Sequence, residues 1–151
     1  MRAIVQRVNH AKLSVDDKLV SSIGHGLLVY LGVCQDDNES DVYYLAKKIS
    51  GLRIFKDSED KMNLSVKDVG GEILLVSNFT IYGDCSRGNR PNFMYAMEPQ
   101  KANELYKMLK LELERHDIHV ETGMFGEHMH ILVENDGPIN IILSSPNTIN
   151  V

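Results

Sequence analysis

Cysteine is scarce in this chain of 151 residues, with only Cys34 and Cys85 present. A secreted disulfide scaffold carries more, so two reduced thiols are expected. Cys34 lies in the apolar run GLLVYLGVC and reads as core filler; Cys85 sits in a polar loop with no neighbour that would activate a thiolate. Long hydrophobic runs are missing too. No segment approaches the roughly 20 consecutive apolar residues that span a bilayer. The opening MRAIVQRVNHAKLSV alternates like a strand and lacks the continuous apolar core of a signal peptide. The expected location is the cytoplasm, with no membrane partner. Positive charge is also short: the formal net charge is −5. That argues against a broad grip on a nucleic-acid backbone, which takes many Lys and Arg contacts, and no DNA partner is expected. A protein that holds only the end of a nucleic acid is still allowed.

The familiar chemical motifs are absent as well. There is no G-x-S-x-G elbow, no GxxxxGK phosphate loop and no GxGxxG. The six histidines are His10, His25, His116, His119, His128 and His130. His128 and His130, two apart on an expected strand, share a face, but no further ligands follow at a zinc-like spacing. No metal and no cofactor are expected. Glu112, Glu114 and Asp117 read as the solvated exterior of a helix.

What is present is an ordinary balance of 43% hydrophobic and 25% charged residues, enough for one domain with a real core over 1–151. AIVQRVNHAKLSV alternates with period two, DDK reads as a hairpin turn, and KLVSSI and GLLVYLGV follow as strands, the second apolar enough to be covered on both faces. A first helix starts at Asn38 as N-cap, places Val42, Leu45, Ala46 and Ile49 on one face, and is expected to stop at Gly51 in a left-handed conformation. EILLVSNFTIYG reads as a strand broken around Ser77-Asn78. Pro99 opens a second helix with a stripe of Ala102, Leu105, Tyr106, Leu109 and Leu113. Closing strands are expected near 118–121, 128–134 and 138–143. The order predicts an α+β fold, a layered β/β/α single domain in which two packed sheets carry two main helices on one side. A sheet face left over is a natural dimer surface. From its tetrapeptide alone, Asn-Asp-Gly-Pro (135–138) is a hairpin turn.

Three stretches say more when read together: SNFTIYGDCSRGNRPNF, GMFGEHMHILVENDGPIN, and the segment joining the first helix to the central strand. Ser77-Asn78-Phe79-Thr80-Ile81 matches an S-Q-F-T-L motif, and Asn135-Asp136-Gly137-Pro138-Ile139-Asn140 matches N-x-G-P-x-T. With these, essentially the whole chain resembles the D-aminoacyl-tRNA deacylases, also called D-tyrosyl-tRNA deacylases. Two positions depart from the family pattern: Asn78 stands where Gln is usual, which keeps the donor and acceptor types, and Asn140 where Thr is usual.

The resemblance implies a homodimeric editing esterase that acts on the aminoacylated 3′ end of tRNA without a cofactor. It implies a cis Gly137-Pro138 bond that enters the partner's site and filters chirality by leaving no volume for an L side chain, so that glycyl-tRNA is accepted. Ser77, Asn135, Gly137, Pro138 and Asn140 are the implied substrate contacts. Main-chain N–H groups around Asn78-Phe79 are implied to hold the ester carbonyl. Thr80 is the tempting nucleophile, yet a strand threonine with no nearby base is more often structural, and the family favours assistance from the ribose 2′-hydroxyl. Phe79 is either a platform for the terminal adenine or a buried core aromatic. Arg87 and Arg90 either meet terminal phosphates or sit in a solvated loop. Two other activities stay open at this point: a non-catalytic module that captures aminoacyl ends, and an L-directed or threonyl-tRNA editor on a related fold.

Overall fold

Two aspartates set the first hairpin. Asp16 and Asp17 take φ of 48° and 59°, the left-handed pair that suits a two-residue turn between right-twisted strands. They join β1 (Arg2–Val15) to β2 (Lys18–Ile23), and β3 (Gly26–Gly32) follows. The structure is a computed structural model that describes residues 1–149; the final two positions of the expected 1–151 domain lie outside the described residues. Then come α1 (Glu39–Ser50), a short pair β4 (Phe55–Lys56) and β5 (Met62–Leu64), β6 (Glu72–Ser77), a 3-10 turn at Phe79–Tyr82, α2 (Pro99–Arg115), β7 (His119–Thr122) and β8 (His130–Ser144).

One sheet contains six of these strands, in the order β2-β1-β3-β6-β7, with β8 added to β1; β4 and β5 form a separate two-stranded ribbon. β3, β6 and β7 run parallel to one another, while β1 is antiparallel to β2, β3 and β8. The expected pair of packed sheets is therefore a single sheet that coils over itself, so that β2 returns against β6 and β7. The physical cause is visible along β1. Ala3 and Val5 belong to the core beneath the helices, whereas Val8, Ala11, Leu13 and Val15 belong to a second core on the other side of β3 and β6. Register shifts after Gln6, Val8 and Leu13 bend the strand between the two, as bulges do.

β3 and β6 are consequently buried on both faces. Leu27, Val29, Leu31, Ile73 and Leu75 meet the helices; Leu28, Leu74 and Val76 meet the second core. That is why both strands are near-continuous apolar runs.

Helix α1 has a full capping box, in which the Asn38 side chain accepts from backbone and Asp41 returns the bond. Gly51 ends the helix with φ −96°, so the left-handed stop is not used; a Cβ there would lie 3.1 Å from the Lys47 carbonyl oxygen, so glycine serves close approach instead. Pro99 opens α2 as expected, with the Glu98 carboxylate accepting from Gln100 and Lys101 N–H groups. Ala102, Tyr106, Leu109 and Leu113 are buried and Leu105 is half-buried. Glu112 is less solvated than a helix exterior implies: only 14% of its side chain is exposed, and it pairs with Arg115. Asp117 lies past the helix and pairs with Lys67 at 3.2 Å.

Candidate active site

The strand pattern of EILLVSNFTIYG stops being a strand at Ser77. Asn78 turns the chain: its Oδ1 accepts from the Thr80 N–H at 3.1 Å and from the Thr80 hydroxyl, and Phe79–Tyr82 wind into a 3-10 turn. An Asx side chain capping the backbone two residues on competes with the sheet ladder and here prevails. Thr80 is thus on a turn. Its hydroxyl proton is directed at an amide oxygen, a group too weakly basic to act as a general base, and among the described residues no basic side chain bonds to it. Phe79 is 57% exposed, which removes it from the core, and it meets Phe93 edge-on at 5.0 Å. Its main-chain N–H has no partner among the described residues, as befits the first donor of a helical turn.

These residues open onto a cavity of about 760 Å³. Its walls come from Tyr30 on β3, Ser77–Thr80, Phe93, the start of α2 around Pro99, and the segment Phe125–Ile131. Burial raises the pKa of the Tyr30 hydroxyl above the usual tyrosine value, so it stays protonated. The far wall is braced by Tyr106, whose hydroxyl donates to the Leu75 carbonyl at 2.8 Å and whose pKa is pushed up to about 12 by burial; its ring lies 5.8 Å from that of Phe125.

The Gly-Pro stretch sits elsewhere. The two closing strands expected at 128–134 and 138–143 are one strand, β8, and Asn-Asp-Gly-Pro is not a hairpin turn within it. Pairing passes from Gln6↔Asn140 to Val8↔Asn135, so Asp136–Ile139 stand opposite Arg7 alone and are extruded as a bulge, after which the strand continues in the same direction. The Gly137-Pro138 bond is cis, and both residues are exposed. The Asn135 side chain straps the base of the bulge, donating to the carbonyls of Arg7 (2.9 Å) and Ile139 (3.3 Å). Asn140 is exposed and re-enters the ladder opposite Gln6. Gly137 has φ 123°, and a Cβ on it would fall 2.8 Å from Ile139 Cγ1, so glycine is required here.

Arg7 is the residue that sequence reasoning missed. It is 5% exposed, its Nη1 donates to the Ile54 carbonyl at 2.6 Å, and its Nε forms an ion pair with Asp136 at 2.8 Å. The signal was available: Ala3, Val5 and Arg7 share one face of an alternating strand, and a cation at a buried register position needs a reason. Arg7, His25, Lys56 and Gly137 line a second cavity of about 460 Å³ behind the bulge.

Within one chain, then, Ser77, Asn78, Phe79 and Thr80 come together, while Asn135, Gly137, Pro138 and Asn140 form a separate projection. Arg87 and Arg90 join neither group. They are exposed on a loop whose ends are pinned by paired Asp84 and Asn92 hydrogen bonds of 2.8 and 2.9 Å. The histidines split into unrelated contacts, such as His119 with Glu121 at 2.8 Å and His128 with His130 at 5.0 Å between rings. Among the described residues no three metal-binding side chains converge, and no helix is long and apolar enough to cross a membrane. Cys34 is buried, Cys85 is exposed, and both are free thiols.

The family described as D-Tyr-tRNA(Tyr) deacylase matches residues 4–144. The chain belongs to this family. Among curated relatives, D-aminoacyl-tRNA deacylases from Thermotoga petrophila and Thermoanaerobacter pseudethanolicus are 54% and 52% identical over 145 residues, covering 96% of this chain and 97% of theirs. A solved structure titled c-Myc DNA Unwinding Element Binding Protein superposes with a TM-score of 0.90 at 37% identity, covering 97% of this chain and 99% of its own. A probable eukaryotic D-amino acid tRNA deacylase shares the fold at 17% identity, with a TM-score of 0.81 over 94% of this chain and 97% of its own. Membership makes this deacylase a hydrolase of the ester that joins an amino acid to tRNA.

Proposed function

We propose that the chain removes D-amino acids and glycine from mischarged tRNA as a homodimer, each protomer lending its Gly137-Pro138 bulge to the cavity of the other. The supporting observation is the separation just described. The bulge projects from β8, while the cavity of the same chain is lined by Ser77–Thr80 and lacks it. A second copy supplies what one chain keeps apart. Among the described residues strand β8 pairs only with β1, and it exposes Leu132 (73%) and Ile142 (68%), an apolar, half-paired strand of the kind proteins cover by association.

In this arrangement the main chain of the bulge accepts hydrogen bonds from the substrate ammonium and fills the space an L side chain would need. Glycine has nothing to exclude and passes. The Phe79 N–H faces the ester carbonyl and stabilises the oxyanion. With Thr80 unactivated, the 2′-hydroxyl of the terminal ribose assists the attack. Phe79 and Phe93 offer a platform for the terminal base, and Arg87 and Arg90 reach the phosphates next to it. The cytoplasm, where charged tRNA is used, is the fitting location.

Incubating the protein with D-Tyr-tRNA, L-Tyr-tRNA and Gly-tRNA tests the reading by ester loss. Rapid release from the first and third and none from the second is expected, with a 2′-deoxy terminal adenosine suppressing release. Equal hydrolysis of the D and L esters would remove the chiral filter. Binding without hydrolysis of any ester would point to a capture module instead.

A further inference from the structure

Tyr82 takes no part in the reaction outlined above, yet it is fully buried directly behind the turn that carries Phe79 and Thr80. A 3-10 turn of four residues has little internal bonding. Here the Ile81 N–H reaches the Asn78 carbonyl at 3.4 Å and the Gly83 N–H reaches that of Thr80 at 3.0 Å. The position of such a turn is therefore set by what packs against it.

Behind it the packing is specific. Gly32 on β3 lets the turn lie flush: a Cβ there would stand 3.0 Å from both Ile81 Cβ and Tyr82 Cε2. The Arg2 guanidinium covers the Tyr82 ring at 5.5 Å and donates to the Ile149 carbonyl at 3.3 Å. The Tyr82 hydroxyl is hydrogen-bonded to Thr148 Oγ1. Residues from the two ends of the described chain thus meet on the rear surface of the turn whose front is the cavity wall.

We infer that Tyr82 is a positioning residue for deacylation: held by Gly32, Arg2 and Thr148, it fixes the depth at which the Phe79 N–H stands in the cavity. The role rests on the reading that this N–H receives the oxyanion. An oxyanion donor acts only within a narrow distance of the charge that develops in the transition state, so a shift of the turn lowers kcat and leaves KM nearly unchanged.

The test uses the full chain with D-Tyr-tRNA and compares Tyr82→Phe, Thr148→Val, the double variant, Thr148→Ser and Gly32→Ala, with Tm measured for each. Tyr82→Phe and Thr148→Val should each lower kcat about five-fold, the worth of one hydrogen bond, with KM held and Tm lowered by only a few degrees, staying well above the assay temperature. The double variant should be no worse than either alone, because both remove the same bond. Thr148→Ser, which keeps the hydroxyl, should restore the rate. Gly32→Ala, which displaces the turn itself, should cost about 100-fold. Unchanged kcat in both single variants, losses that multiply in the double, or a kcat that falls only as Tm falls would overturn the role. An inactive parent chain would instead remove the deacylase reading on which it rests.

Discussion

Two strands of this protein are interrupted, and they are interrupted in opposite ways. β6 ends at Ser77 because Asn78 caps a turn with its own side chain, and the chain leaves the sheet around a concave wall. β8 is broken at Asp136–Ile139 yet resumes at Asn140 in the same direction, so its extra residues become a convex projection. The first interruption begins with local bonds from Asn78 to its neighbour Thr80, and Gly32, Arg2 and Thr148 pack behind the turn that follows. The second is held by Arg7 and Asn135, whose bonds reach from β1 to β8 across more than a hundred residues. A hollow on one strand and a protrusion on another are the shapes that the proposed exchange between two copies of the chain would bring together.

The contrast can be broken most severely at Gly137. Its φ of 123° and the 2.8 Å approach to Ile139 leave no room for a methyl group, so Gly137→Ala should lower D-Tyr-tRNA hydrolysis about 100-fold, the cost of a misplacement on the 1 Å scale. A rate within a few-fold of the parent would mean that the bulge is not part of the site. Next comes the long-range brace. Arg7→Met should cost about 2 kcal/mol in chemical denaturation, below the value for a fully buried pair because Asp136 keeps access to water. The same variant should reduce activity about ten-fold as the bulge loosens. Unaltered stability would show that the ion pair is ornamental. The smallest effect is expected at Thr80. Thr80→Ala removes one bond to Asn78 and should retain turnover to within about ten-fold; near-total loss with tRNA binding intact would restore Thr80 as a nucleophile.

Much of this was legible in the chain before any coordinates. Asn38 and Asp41 announce their capping box, Pro99 announces α2, and the unbroken apolar runs of β3 and β6 declare strands covered on both faces. What misled was ambiguity in short-range signals. The break around Ser77-Asn78 was expected, but Phe79 and Ile81 keep an alternating apolar pattern beyond it, so the sequence did not show that the chain winds into a turn under the Asn78 side chain. Asn-Asp-Gly-Pro carries the same local preferences whether it closes a hairpin or swells a strand, and the choice is made by Arg7 and Asn135, contacts that no short window contains. One coiled sheet reads as two because alternation along β1 persists through Asn9 and His10 while the residues change from one core to the other. The candidate site was readable as two motifs, and its geometry was not, since the two motifs do not touch within the chain.

The pairing of β1 with β8 also has a consequence for folding. β1 finds this partner only in residues 130–144, more than a hundred positions further along the chain. Until those residues dock, β1 is paired with β2 and β3 but leaves its other edge open, and such long-range closure is slow. A folding chain is therefore most open to misassembly while that edge still waits for β8.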